Sequence, residues 1–176
     1  MRIPPGSRVY IDTMVWIYHL FEQNHVMATC CERFLQEIED GHLTGVSSSF
    51  TVQEALEVAK RSFSRKRNRP PGQAELAQIE GIIDGALRDL GIELHDSDRL
   101  TGLGGAPPDL FARTGEIIKQ SRPYLCPDGA WRAVGGADAI HLAFSERSNA
   151  DYYATCDQGF KGQVSRNKVS IVWEDY

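Results

Sequence analysis

Apolar residues in this chain recur at two periods, and the changeovers between them mark its elements. Val9, Tyr10 and Ile11 make a short β-branched and aromatic run, the composition of a buried strand. Val15, Trp16, Tyr18, Leu20 and Phe21 then fall on most sides of a helix, which predicts one that is largely buried, with Thr13 as its cap. Met27, Cys30, Cys31, Phe34, Leu35 and Ile38 form one stripe at helical spacing, predicting a helix over 26–40 closed by Gly41. Leu43–Val46 reads as a second strand. Ser47, Ser48 and Ser49 offer caps for a helix over 50–64, with Val52, Ala55, Leu56, Ala59 and Phe63 as its core stripe. Pro70-Pro71-Gly72 interrupts, and Leu76, Ile79, Ile82, Ile83, Ala86, Leu87 and Leu90 predict a partner helix over 73–90.

Ile92–Leu94 is a third short strand, followed by a Gly/Pro-rich loop and a helix over 109–121. Residues 122–136 read as irregular, a sixth helix runs from Ala137 to Ser148, and strands follow at 152–155 and 169–173. Strands alternating with helices predict an α/β fold around a mostly parallel sheet. No repeat or linker divides residues 1–176, so a single domain is expected. The helical hairpin over 50–90 and the loop and helix region over 99–136 belong to it.

Composition narrows the class. The 176 residues suffice for a sizeable core, and 41% hydrophobic with 24% charged residues is ordinary for a soluble globular protein. No apolar run approaches the roughly 20 residues of a membrane span, and the N-terminus has no apolar signal core, so a cytoplasmic protein is expected. Four cysteines show neither C-x-x-C spacing nor a His/Cys cluster and read as reduced core thiols, with adjacent Cys30 and Cys31 pointing different ways. A net charge of −5 excludes a uniformly basic nucleic-acid binder. It leaves room for a local patch, and residues 61–69 hold five Arg or Lys and no acid: Arg61, Arg65, Lys66, Arg67 and Arg69.

Candidate chemistry lies where elements begin or end. Asp12 closes the first strand, Glu54 opens the third helix, Asp138 opens the sixth, and Asp157 follows the fourth strand. In a parallel sheet with right-handed crossovers, strand C-termini and the nearby helix N-termini share one edge, so the four acids are expected in one cleft. Clustered carboxylates repel unless a cation neutralises them, and an oxygen-only set suits Mg²⁺ or Mn²⁺. One ion, or two about 3.5–4 Å apart, would activate water for in-line phosphoryl displacement. Singly, each acid also fits a helix dipole or a turn.

The segments VYIDTMVWI, SSSFTVQEAL, GGADAIHLAFS and NADYYATCDQGF resemble the PIN-domain ribonucleases, especially the VapC-type toxins. The late pair, A-D-A-I-H-L-A then T-x-D-x-x-F, is the most specific part. The resemblance implies a three-layer fold with a mostly parallel five-stranded sheet between helices, and cleavage of single-stranded RNA by acids holding Mg²⁺ or Mn²⁺. Carried over by motif, the acids are Asp12, Glu54, Asp138 and Asp157, with Thr155 orienting a carboxylate. It also implies an antitoxin protein as partner, and a homodimer is a further expectation. One position departs: the family often has Asn or another polar residue two after its first Asp, where this chain has Met14, a poor ligand for a hard cation. Residues around 64–75 and 99–136 lie outside the resemblance.

Other residues are assigned around this centre. Thr13 and His141 are expected to support the acids without holding the ion. Asp96 and Asp98 also follow a strand, but Asp98, preceding a helical stretch, fits an N-cap better than a metal role, and Asp151 precedes its strand at the wrong edge. The five basic residues of 61–69 would clamp RNA phosphates or form a solvated helix tip. Trp131, in a Gly-rich loop before Asp138, is a better base-stacking candidate than core-like Trp16, with Tyr124 beside it. The alternative function is a catalytically weak or inactive PIN-like module that binds RNA or protein. A haloacid-dehalogenase-type phosphohydrolase would want Asp at position 14, and a dinucleotide-binding fold would want G-x-G-x-x-G after the first strand.

Overall fold

The structure is a computed structural model and describes residues 2–23, 25–95, 108–125, 129–160 and 168–176. Its strands are β1 (Arg8–Ile11), β2 (Thr44–Ser48), β3 (Glu93–His95), β6 (Tyr152–Thr155) and β7 (Lys168–Ile171), with a small separate pair, β4 (Tyr124–Leu125) and β5 (Trp131–Arg132). The helices are α1 (Thr13–Leu20), α2 (Val26–Glu39), α3 (Ser49–Arg67), α4 (Gln73–Asp89), α5 (Pro108–Gln120), α6 (Gly136–Arg147) and α7 (Val172–Asp175). A 3₁₀ turn covers Gln158–Phe160. Asp96, Asp98, the glycine-rich loop at 102–107 and Cys126 lie outside the described residues. Among the described residues, no helix is long and apolar enough to cross a membrane.

Strand alternation builds the layers. Val9 and Ile11 point into one core with Trp16, Cys31, Phe34, Leu35 and Ile83, the side covered by α1 to α4. Tyr10, between them, points the other way, into a second core with Leu110, Ile117, Leu142, Phe144 and Tyr153 under α5 and α6. β6 repeats the pattern: Tyr152 and Ala154 join the first core and Tyr153 the second. The two helical layers thus enclose the sheet. A bidentate Arg113–Glu146 pair, at 2.7 and 2.9 Å, ties α5 to α6. Gly45 lets the first layer close on β2, since a Cβ there would sit 2.4 Å from the Ile92 side chain.

The five-stranded sheet runs β3-β2-β1-β6-β7, and every pair in it is parallel. The chain winds outward from β1 to β2 and β3, then returns to lay β6 on β1's other side. β1 is therefore the topological switch point, where an open α/β sheet leaves a crevice beyond its strand ends. Ile11 pairs with Ala154, which sets Asp12 level with Thr155 at that crevice.

Several boundaries differ from the sequence reading. Asp12, not Thr13, caps α1: its carboxylate accepts the Thr13 N–H at 2.8 Å, which leaves the Thr13 hydroxyl for another task. α3 starts at Ser49, capped by Ser48, so Glu54 lies in its second turn and not its first. With no proline before Pro70 the helix continues through the basic run to Arg67 and ends on Asn68 in the left-handed region. Residues 122–136, expected as irregular, contain the β4–β5 pair, whose two-residue strands are too short to show a period. The last strand stops at Ile171 and yields to α7. Gly41 does adopt a positive φ, 73°, after α2.

Candidate metal centre

Asp12 is buried, 5% exposed, and both its carboxylate oxygens are engaged. Oδ1 accepts the Thr13 N–H, and Oδ2 accepts the Thr155 hydroxyl at 2.7 Å. Thr155 Oγ1 in turn accepts the Asp157 N–H at 3.0 Å, so one hydroxyl fixes both acids at the ends of β1 and β6. Asp157 turns its own carboxylate back on Gly159 N–H at 2.7 Å, with the Arg132 guanidinium 3.4 Å away. A side chain at Gly159 would press on this approach, since a Cβ there would lie 3.1 Å from Asp157 Oδ1 and 3.2 Å from Arg132 Cβ.

Glu54 projects from α3 toward the same edge. Its Oε2 accepts the Thr13 hydroxyl at 2.6 Å and faces His141 Nε2 at 2.8 Å. His141, on α6 and 1% exposed, contacts the Tyr10 hydroxyl through Nδ1 at 3.1 Å. Tyr10 reaches Ser48 Oγ at 2.7 Å and Thr51 Oγ1 at 3.2 Å. Asp138, in the first turn of α6, reaches back to accept the Gly135 N–H at 2.8 Å.

The electrostatics follow from this crowding. Burial pushes the Asp12 carboxyl above its ordinary value and the Glu54 charge adds to it, while His141 and the Thr155 hydroxyl pull it back. Burial likewise raises Asp138, with the charges of Asp157 and Glu54 adding and the Gly135 N–H opposing. Glu54 moves the other way, held down first by the His141 hydrogen bond and then by the Thr13 hydroxyl. Asp12, Glu54 and His141 each bring a potential ligand atom within 4.8 Å of one another. Asp138 and Asp157 stand outside that tight trio and join it through charge. An acid cluster whose members raise one another's pKa fits a hard divalent cation, which would relieve the repulsion.

The remaining candidates separate. Met14 packs against the first core. Trp16 is buried, whereas Trp131 is 69% exposed on β5 opposite half-exposed Leu125. Asp151 sits at the opposite sheet edge, accepting the Arg8 N–H at 2.9 Å. Of the basic run, Lys66 pairs with Glu22 at 3.2 Å and Arg69 with Glu75, while Arg61 approaches Glu57 only at 4.0 Å. Arg65 and Arg67 have no ion pair among the described residues. Cys30, Cys31 and Cys156 form no disulfide among the described residues, and the buried Cys31 Sγ lies 3.4 Å from Cys156 Sγ, with Cys30 half-buried. Tyr10, Ser48, Thr51, Gly159 and Arg132 are site residues that sequence reasoning missed. Only the strand alternation at Tyr10 carried a hint, since it turns that phenol away from Val9 and Ile11.

Comparison with known proteins agrees with the fold. Among solved structures, a chain of the VapBC2 complex from Rickettsia felis, bound to a DNA fragment from their promoter, superposes with a TM-score of 0.58. The match is 13% identical and covers 93% of this chain and 97% of that one. VapC20 from Mycobacterium tuberculosis, a sarcin-ricin loop cleaving toxin, gives a TM-score of 0.56 at 13% identity, over 89% of this chain and 96% of the other. No curated protein matches in sequence. The PIN domain family matches residues 9–163, most of the chain, and this protein belongs to it.

Proposed function

We propose that this PIN-domain protein is a metal-dependent endoribonuclease that hydrolyses phosphodiester bonds in RNA and is held in check by an antitoxin protein. What supports the reading is the meeting of Asp12 and Glu54 at the switch-point crevice, with Asp138 coupled through charge to Glu54 and Asp157. These four acids would hold Mg²⁺ or Mn²⁺. When bound, the cation would supply activation of water and charge stabilisation at the phosphoryl group. Thr155 fixes Asp12 and the Asp157 backbone in one geometry, and Thr13 joins Asp12 to Glu54.

Substrate contacts extend outward from that core. Arg132, beside Asp157, is positioned to meet a phosphate, and Trp131 next to it offers a bare ring for stacking a base. Arg61 and Arg65 follow Glu54 by seven and eleven residues, close to whole turns of α3. They form a basic track on the site's side of the helix, about 10 and 16 Å along it. The toxin–antitoxin role rests on likeness of fold to the VapC structures. Cysteines outside disulfides among the described residues suit a protein that works in the reducing cytosol.

The test is cleavage of a panel of structured RNAs with Mg²⁺, Mn²⁺ or EDTA, beside D12N and D138N. We expect metal-dependent cutting that both variants lose. Cutting that persists in EDTA, or in both variants, refutes the mechanism. The second reading, a PIN-like module that binds RNA or protein without turnover, is favoured by Met14, which turns to the core and offers the site no polar group. Metal-dependent turnover by the wild type rules it out.

A further inference from the structure

Asp12, Glu54 and His141 have the appearance of a mixed oxygen–nitrogen metal site, and the hydrogen bonds behind His141 argue against it. We propose, building on the metal-centre reading above, that His141 is a positioning residue and not a metal ligand. A one-way hydrogen-bond chain through Tyr10 keeps its proton on Nε2, aimed at Glu54.

A neutral imidazole carries one N–H and one lone pair, and its neighbours decide which nitrogen has which. Nε2 lies 2.8 Å from Glu54 Oε2. A carboxylate oxygen offers only lone pairs, so a bare Nε2 there would set lone pair against lone pair. The proton therefore sits on Nε2, and in the neutral ring Nδ1 is the acceptor. Its partner is the Tyr10 hydroxyl at 3.1 Å, which must donate. Having spent its single proton, the Tyr10 oxygen accepts from Ser48, 2.7 Å away. Ser48 Oγ accepts the Thr51 backbone N–H at 3.3 Å, and the Thr51 hydroxyl, 3.2 Å from the Tyr10 oxygen and 3.3 Å from Ser48 Oγ, has an acceptor in either. Each hydroxyl proton is used once, and no buried donor in this network is stranded.

This ordering has two consequences. A metal ion needs a nitrogen lone pair, and the one on Nε2 is replaced by a proton. The centre then presents carboxylate oxygen alone, which keeps it suited to hard cations. In addition, Glu54 Oε2 is saturated by His141 and Thr13, which turns its other oxygen to the task of holding the ion. Tyr10 acts through His141, and His141 through Glu54. Strand alternation at β1 thus serves both faces: Asp12 lies at the strand's end, while Tyr10 reaches under α6 to orient the group that holds the next acid.

The experiment combines three measurements on the full chain. Long-range ¹H–¹⁵N correlation of histidine-labelled, metal-free protein should place the His141 proton on Nε2; an Nδ1–H overturns the assignment. Pulsed electron paramagnetic resonance of the Mn²⁺-loaded protein should show no directly coordinated imidazole nitrogen; strong ¹⁴N coupling means that the ring flips and ligates, and overturns it too. By calorimetry with Mg²⁺, Y10F and H141L should lose about tenfold in affinity, the lower end for groups that orient metal ligands. H141Q, whose amide N–H can still reach Glu54, should recover part of that loss. Equal Mg²⁺ affinity in wild type, Y10F and H141L, with folding checked by circular dichroism, refutes the positioning role. If the wild type binds neither cation, the nuclease reading fails, and the metal-free spectrum still decides where the proton sits.

Discussion

Thr155→Val tests the joint on which the centre depends. The substitution keeps the shape of a fully buried side chain and removes only the hydroxyl. That hydroxyl donates to Asp12 Oδ2 at 2.7 Å and accepts the Asp157 N–H at 3.0 Å. A hydrogen bond to a charged group contributes about 1.5–3 kcal/mol, and an orphaned N–H costs about 1–3 kcal/mol. Asp157 is half-buried, so water can partly serve its N–H and the lower end applies there. The two losses together come to about 3 kcal/mol. For a chain of this size that is a fall in Tm of about 6–12 °C. Thr155→Ser, which keeps the hydroxyl and loses a methyl, should cost only about 1 kcal/mol.

The assay is urea unfolding of both variants in EDTA, so that no cation contributes. The loss in T155V should also grow as pH rises. Without its donor the Asp12 carboxyl moves still higher in the folded state, which then holds a proton that the unfolded chain releases. Stability must then decline through that window. If T155V lies within about 1 kcal/mol of T155S at neutral pH, the hydroxyl is not holding the two acids and the account of the joint is wrong.

Two further predictions rest on the same geometry. Asp12 and Asp138 both have carboxyls raised in the folded protein, while the gain from lowered Glu54 is complete near its ordinary value of 4.5, so from about pH 5 upward the metal-free protein should lose stability, and saturating Mg²⁺ should reverse that loss. Thermal melts from about pH 4 to 8 with EDTA or Mg²⁺ check this, and parallel curves in the two conditions refute it. The combined R61E/R65E variant should weaken RNA binding and flatten its salt dependence, by about 0.7 in log–log slope for each phosphate no longer neutralised, whereas K66E, already paired with Glu22, should change little. Equal effects in the two variants would remove the track along α3.

What the sequence could disclose was set by periodicity and by where charge is tolerated. An acid following Val9-Tyr10-Ile11 is costly inside a buried strand and acceptable only at its open end, so Asp12 marks the crevice from the sequence alone. Asp138 and Asp157 are legible for the same reason, each at an element's edge. The helix over 49–67 was visible as a stripe, but its start was not, since three consecutive serines can each cap, and the choice of Ser48 set Glu54 in the second turn. Arg132 was invisible because two-residue strands have no period. The Tyr10–His141 contact was invisible for a different reason: it joins residues 131 apart through a phenol that looks, in sequence, like any strand aromatic. Tyr10 is buried as completely as its neighbours, so hydrophobic patterning accounts for it without reference to its hydroxyl. The polar half of an amphipathic core side chain leaves no mark on the pattern, and at this centre that half orders the groups behind Glu54.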